Sequence, residues 1–251
     1  MTNYNGTLLD VNLNSNLTLT VGSGGIGAKA SPTKGSDSIF DTITADGGGA
    51  GLQSTGQDGG SGSGGSGNAT SGLPVGVATT GQGFNGGQGY QRVSNDEAGG
   101  GGGGAGAAGA AASANTGGAG GVGLQVDIDG LNNFYAGGGG GGGRTTGGAG
   151  GTGGGAAGTG AANPKPATPN TGGGGGTAGD NSGSYTGSSG GSGIVTLRYP
   201  TTNTLTVGSG LYGNYATGTT GLCSWPTASN GVSLFQLEDN LTDTCSNSTA
   251  A

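Results

Sequence analysis

Hydrophobic and polar residues alternate at only a few places along this chain. Leu17, Leu19 and Val21 fall on one face of an extended segment, with Asn16, Thr18 and Thr20 on the other. That period of two predicts a half-buried strand, and the pattern dissolves into Gly and Ser from Gly22 onward. The second strand pattern is Ile194-Val195-Thr196-Leu197-Arg198-Tyr199, stopped by Pro200. One strand at each side of the intervening block predicts that 16–21 and 194–199 pair, closing the block and bringing the two chain passages together. Shorter apolar groups interrupt the block. Ile39, Phe40 and Ile43 predict an anchored turn, and Val126 and Ile128 alternate within Leu124–Tyr135.

Between these islands lies glycine. Ala136 is followed by seven consecutive glycines and closed by Arg144, with companion runs at 99–104, 172–176 and 47–49. Glycine is a poor residue for helix interiors and a weak one for strands. Two readings remain: a flexible tract, or extended helices of three residues per turn packed against one another. Such helices have no internal hydrogen bonds, so neighbours must supply every partner. A helix surrounded on all sides must then be nearly pure glycine, whereas an outer one can carry a side chain at every third residue. Both kinds occur, the pure runs and the triplets with Ala119/Val122 or Ala149/Thr152. The fold class carried forward is a non-regular, extended sandwich of polyglycine II helices, closed by a few edge β-strands, with little or no α-helix. Its organisation divides into 1–25 (attachment strand), 26–200 (glycine-rich domain), 201–220 (linker) and 221–251 (start of a further module).

Composition sharpens what folding requires. Of 251 residues 71 are Gly, and only 29% are hydrophobic, so an ordinary apolar core cannot form. Fixing one backbone residue costs roughly 1–2 kcal/mol, against about 0.5–1.5 kcal/mol net for each hydrogen bond. A dense bonded lattice, a partner or an oligomer must therefore hold the chain. Asn68–Ala98 has irregularly spaced glycines and reads as a long loop. Asn163-Pro164-Lys165-Pro166-Ala167-Thr168-Pro169-Asn170 reads as a proline-rich turn at an edge or tip, because Pro has no N–H to give.

Charge and chemistry mainly exclude. The net charge is −7 with six scattered basic residues, which argues against nucleic acid. No apolar run reaches the roughly eighteen residues of a membrane span, so membrane insertion is not expected. Met1–Gly6 lacks the pattern of a signal peptide, so if the protein works outside a cell another route delivers it, for which lysis or assembly into a particle would suffice. Histidine is absent, which removes the usual general base and the commonest metal ligand. The many Gly-x-Gly-x-x-Gly matches lack a strand–turn–helix setting. Asp127/Asp129 and Asp96/Glu97 read as solvated loop charges. No enzyme activity, cofactor or metal is expected. Cys223 and Cys245 match no zinc spacing, and they pair as a disulfide in an oxidising setting or stay as two thiols.

Leu19-Thr20-Val21-Gly22-Ser23-Gly24 recurs letter for letter as Leu205-Thr206-Val207-Gly208-Ser209-Gly210, read as another edge strand. Beyond Gly218 glycine thins out and Trp225, Val232, Leu234, Phe235, Leu237 and Leu241 appear, in about thirty residues, too few for an independent fold.

Several of these segments carry a resemblance. Leu17–Val21 running into Gly-Ser-Gly-Gly, Ser38-Ile39-Phe40 with Ala45-Asp46 before three glycines, Tyr135-Ala136 before seven glycines, and above all Gly190-Gly191-Ser192-Gly193-Ile194-Val195-Thr196-Leu197-Arg198-Tyr199-Pro200 resemble the glycine-rich domain of tailed-phage tail fibres and adhesins. Val232–Cys245 resembles the opening strand of a laminin-G or concanavalin-like jelly roll. The resemblance implies a packed polyglycine II sandwich with receptor-binding loops at one end, in a virion and extracellular. Expected partners are a host cell-surface glycan or outer-membrane protein and other virion or fibre proteins, with the chain homo-oligomeric or docked on a trimeric fibre. Aromatic and Arg residues favour binding hot spots, which selects Phe84, Tyr90, Arg92, Asn95, Asp96 and Glu97, with Phe134 and Tyr135 as a second set. A structural filament, capsid-decoration or cell-surface matrix protein without receptor binding is the alternative. Against glycine-repeat matrix proteins and ice-binding glycine bundles stand the long non-repetitive interruptions.

Overall fold

A computed structural model describes residues 16–52, 55–67, 75–91, 97–128, 131–179 and 185–197. Its organising element is the run 137–143, all seven glycines of which are buried. The backbone bonds of this run rotate with a period of three. Gly137, Gly140 and Gly143 donate to Gly153 O (3.0 Å), Ala156 O (2.8 Å) and Thr159 O (3.3 Å). Gly138 and Gly141 donate to Gly121 O and Gly118 O, both at 2.8 Å, and accept from Gly151 N and Gly148 N, also at 2.8 Å. Gly137 and Gly140 accept from Gly174 N (2.8 Å) and Thr177 N (3.1 Å), while Gly139 and Gly142 accept from Gly102 N (2.9 Å) and Gly99 N (2.8 Å). Every third residue thus faces the same neighbour, as three residues per turn requires. The run is a polyglycine II helix inside a bonded lattice. Its neighbours 153–159 and 174–177 run parallel to it, and 99–102, 118–121 and 148–151 run antiparallel. The packing is therefore mixed in direction.

The core is inverted relative to an ordinary protein. Among the described residues, the buried positions other than glycine are Ala50, Ser63, Ala98, Ala156, Pro164 and Ala167. Large apolar side chains face outward, including Ile26, Val77, Phe84 and Val122. Ala119, Val122, Ala149 and Thr152 are all exposed on helices 117–123 and 147–152, as their triplet spacing predicts. Close approach, not turn geometry, is what demands glycine in the runs. Only Gly81, Gly153, Gly154 and Gly172 have φ in the left-handed region among the described glycines. By contrast, a methyl group on Gly138, Gly139, Gly140 or Gly141 would fall well inside 3.0 Å of a neighbour's carbonyl oxygen. Gly99 and Gly102 differ, with the nearest atoms 3.7 and 3.4 Å from such a methyl. Gly99→Ala should therefore be neutral or stabilising by up to about 1 kcal/mol, through the unfolded state. Gly141→Ala should cost at least the roughly 1–3 kcal/mol of ordinary overpacking, because the atoms met are backbone. Equal melting temperatures for the two variants would contradict this packing.

Polar side chains complete the lattice where a backbone acceptor is lacking. Ser38 Oγ accepts from Gly22 N (2.9 Å), Asp37 Oδ1 from Gly47 N (2.8 Å) and Asp58 Oδ1 from Val77 N (2.6 Å). Thr177 Oγ1 takes Gly142 N–H at 2.6 Å, and Ser188 Oγ takes Gly176 N–H at 2.9 Å. The bonds at Gly22, Gly142 and Gly176 are part-buried, those at Gly47 and Val77 exposed, and each contributes roughly 0.5–1.5 kcal/mol net.

Short strands cap the helices, and the described residues contain no α-helix. β1 (Leu19–Thr20), β2 (Ser38–Phe40) and β3 (Ile43–Ala45) form an antiparallel sheet in that order, with Leu19 opposite Phe40 and Phe40 opposite Ile43. Asp41, at φ 51°, makes the β2–β3 turn. β4 (Tyr90–Gln91) pairs with β5 (Glu97–Ala98), and β6 (Leu124–Val126) pairs with β7 (Asn133–Tyr135). The expected pairing of strands 16–21 and 194–199 is corrected in part. β1 pairs with β2, and residues 194–197 belong to no strand. The local neighbour takes the bonding edge of β1, while 187–193 stays in glycine-helix geometry. The two passages nevertheless lie side by side, with Gly193 N donating to Gly22 O (2.9 Å) and Gly190 N to Gly25 O (3.0 Å).

Two further expectations change. Much of the segment read as a loop between Asn68 and Ala98 is lattice. Gly76 N bonds Ser63 O, Gly87 N bonds Gly101 O and Gly65 N bonds Gly87 O, at 2.9, 2.7 and 2.9 Å. Gly83, Gly86 and Gly89 stand three apart and present one bare face to 60–66. The proline segment takes the edge of its two expected places, with a turn only at 169–170. Pro164 and Ala167 point inward, three residues apart, and Ala167 N donates to Ser189 O (3.0 Å). It lies on the lattice edge as an extended helix of the same pitch.

Candidate functional site

The helices define two ends. At the Gly137 end, Ala105 N bonds Ala136 O (2.9 Å), Phe84 N bonds Gly104 O (3.0 Å), and Gly174 N bonds Gly137 O (2.8 Å). Gly191 bonds Gly173 there, so the Gly22–Gly193 contact sits at this end, together with the β1–β3 sheet. The chain enters and leaves the block here. The Gly143 end is opposite and carries the 113–116 and 144–146 turns.

That opposite end is a continuous surface. The β4–β5 arm rises from helix 84–89 and returns into 99–104, with Tyr90 opposite Ala98 and Gln91 opposite Glu97. Ala98 bridges antiparallel to Gly143, which sets Glu97 and Arg144 side by side in the next register position. Thr145 N and Thr146 N both donate to Asn115 O, at 2.9 and 3.2 Å. Ser113 and Thr116 exchange backbone bonds of 3.0 Å, and Ala112 N bonds Gln88 O (2.8 Å), tying this turn to the base of the arm. Gln88, Ser113, Thr116, Arg144, Thr145 and Thr146 are exposed, and Tyr90 and Glu97 are half-buried. Hydroxyls, an amide, a carboxylate, a guanidinium and one aromatic ring therefore share a rigid base. Such a set can bond hydroxyl groups and stack on an apolar face.

The sequence-selected residues separate between the ends. Tyr90 and Glu97 lie at the Gly143 end. Phe84, six residues of extended helix earlier, lies about 19 Å away at the other end, where it is 46% exposed. Phe134 and Tyr135 in β7 lead into Ala136 and share that other end. The structure thus does not bring Phe84, Phe134 and Tyr135 together with Tyr90. Arg92, Asn95, Asp96, Asp129, Cys223 and Cys245 lie outside the described residues. Sequence reasoning missed Arg144, Thr145, Thr146, Ser113 and Thr116. One signal was available: Arg144 ends the longest glycine run, and a bulky residue there must sit where the lattice stops.

Among the described residues no three His, Cys, Asp or Glu side chains form a metal-holding group. None of the described residues forms a helix long and apolar enough to cross a membrane. No curated protein and no solved structure matches the chain. Residues 3–200 match the family profile described as a glycine-rich domain. That match spans most of the chain, and the chain belongs to the glycine-rich domain family.

Proposed function

We propose that this chain is an adhesive display domain, of the kind carried by phage tail fibres, that holds receptor-binding loops away from its point of attachment. The observation supporting the reading is the division of ends. Both chain passages leave beside the Gly22–Gly193 bond, and the β4–β5 arm with the 113–116 and 144–146 turns occupies the opposite face. A lattice of featureless backbone suits a spacer, because its bonds are rigid and its sides carry small side chains. The ligand class is a hydroxyl-rich surface receptor, a cell-surface glycan or an outer-membrane protein. Tyr90 supplies a ring face, and Arg144, Thr145 and Thr146 supply hydrogen-bonding groups. A catalytic role has no residues to carry it in this reading.

Alanine at Tyr90 and Arg92 together, in intact particles, should abolish adsorption to host cells while the melting curve stays unchanged. Arg144→Ala should weaken adsorption in the same way, whereas Phe84→Ala at the other end should leave it intact. Adsorption that survives the first variant, or is lost equally in Phe84→Ala, would overturn the assignment to this end.

A further inference from the structure

We infer that the lattice holds an axial slot beside Gly139 that takes one further polyglycine II helix, supplied by a partner chain. Three residues per turn give such a helix three donor and three acceptor directions, and so six places for neighbours. Five surround 137–143, namely 99–102, 118–121, 148–151, 153–159 and 174–177. The N–H groups of Gly139 and Gly142 point to the sixth place. Thr177 Oγ1 takes Gly142 N–H there at 2.6 Å. Gly139 N–H, buried and three residues earlier, has no partner among the described residues.

The other walls of the slot repeat this. In 99–104 the carbonyls of Gly99 and Gly102 accept from Gly118 N and Gly121 N, and those of Gly101 and Gly104 from Gly87 N and Phe84 N. Gly100 O and Gly103 O remain, facing the gap between 62–65 and 139–142 with no partner among the described residues. The same elimination leaves Ser61 N and Gly64 N among the donors of 60–65, and Gly175 O among the carbonyls of 174–177. In order round the slot, 60–65 donates, 99–104 accepts, 137–143 donates and 174–177 accepts. A glycine helix placed there meets donors and acceptors in the alternation that its own C=O and N–H groups present. Gly51 faces Thr177 Cγ2 across the slot, and Gly48 and Gly51 are exposed, so solvent reaches this wall. A methyl group on Gly48, Gly51, Gly99 or Gly102 would stand 3.4–3.9 Å from its nearest neighbour. Close approach within the chain therefore does not explain glycine at these four positions, and a helix seated among them does. Enclosed on these sides, the occupant carries no side chains. The ligand class is an extended, all-glycine stretch of a partner chain, at a site separate from the adhesive face.

The test titrates the full chain with a labelled peptide of two lysines followed by about eight glycines, which span about 25 Å as an extended helix. Binding should slow hydrogen exchange at the Ser61, Gly64 and Gly139 amides by at least about tenfold. Gly140 N, already bonded to Ala156 O, should be unchanged. Gly99→Ala and Gly48→Ala each place a methyl group in the slot. Each should weaken binding by at least about tenfold, because the methyl overpacks the seated helix, without lowering the melting temperature of the free protein. A control peptide in which glycine alternates with leucine should not bind. Failure of the glycine peptide to bind, binding without protection of those three amides, undiminished binding to both variants, or equal binding of the control would each overturn the inference.

Discussion

Gly140→Val should abolish the cooperative melting of the domain or lower its midpoint by more than about 10 °C, the shift that a loss above about 3 kcal/mol produces at this size. Ordinary overpacking costs about 1–3 kcal/mol because neighbouring side chains turn aside. Here nothing can turn aside. The atoms that a Cβ would meet at Gly140 are Gly148 O, Gly158 N and Gly148 C, all backbone. Moving them breaks the bonds that they make, among them Gly148 N to Gly141 O (2.8 Å) and Gly158 N to Gly148 O (2.9 Å). Gly140 also donates to Ala156 O and accepts from Thr177 N, so displacing either helix leaves buried polar groups unpaired, at about 1–3 kcal/mol each. Val122→Ala on the exposed face serves as the control and should change the midpoint by no more than about 2 °C. A Gly140→Val protein that melts like the unmodified domain would show that 137–143 is not enclosed.

Calorimetry should give a heat-capacity change on unfolding below about half of the usual 12–15 cal/mol/K per residue. Unfolding raises heat capacity when apolar surface meets water and lowers it when polar surface does. Among the described residues the buried side chains are a few alanines, a serine and a proline, and Ile26, Val77, Phe84, Val122 and Phe134 are already exposed. What unfolding uncovers is mostly peptide N–H and C=O. The stability curve should consequently be flat with temperature, with little weakening in the cold. A heat-capacity change in the ordinary range would mean that substantial apolar surface is buried elsewhere in the chain.

Residue type alone determined that the longest glycine run lies inside. A glycine helix enclosed by others has no room for Cβ, so the pure run 137–143 had to be interior. The triplets with Ala119/Val122 and Ala149/Thr152 had to be outer, and the burial of each residue agrees. The absence of α-helix and the scarcity of strands among the described residues followed from the same composition. Only the tertiary structure decided which helices are neighbours, which run parallel, and how Gly83, Gly86 and Gly89 join the lattice. It also decided that Tyr90 and Phe84 lie at opposite ends, and that Arg144 stands beside Glu97. The reason is physical. Apolar side chains carry a pattern that names the face they bury, but a backbone N–H is the same at every glycine. Partners in such a lattice are interchangeable by chemistry. The lengths of the runs, the turns between them and the few side chains that cap their ends select one arrangement, and that selection is made in three dimensions.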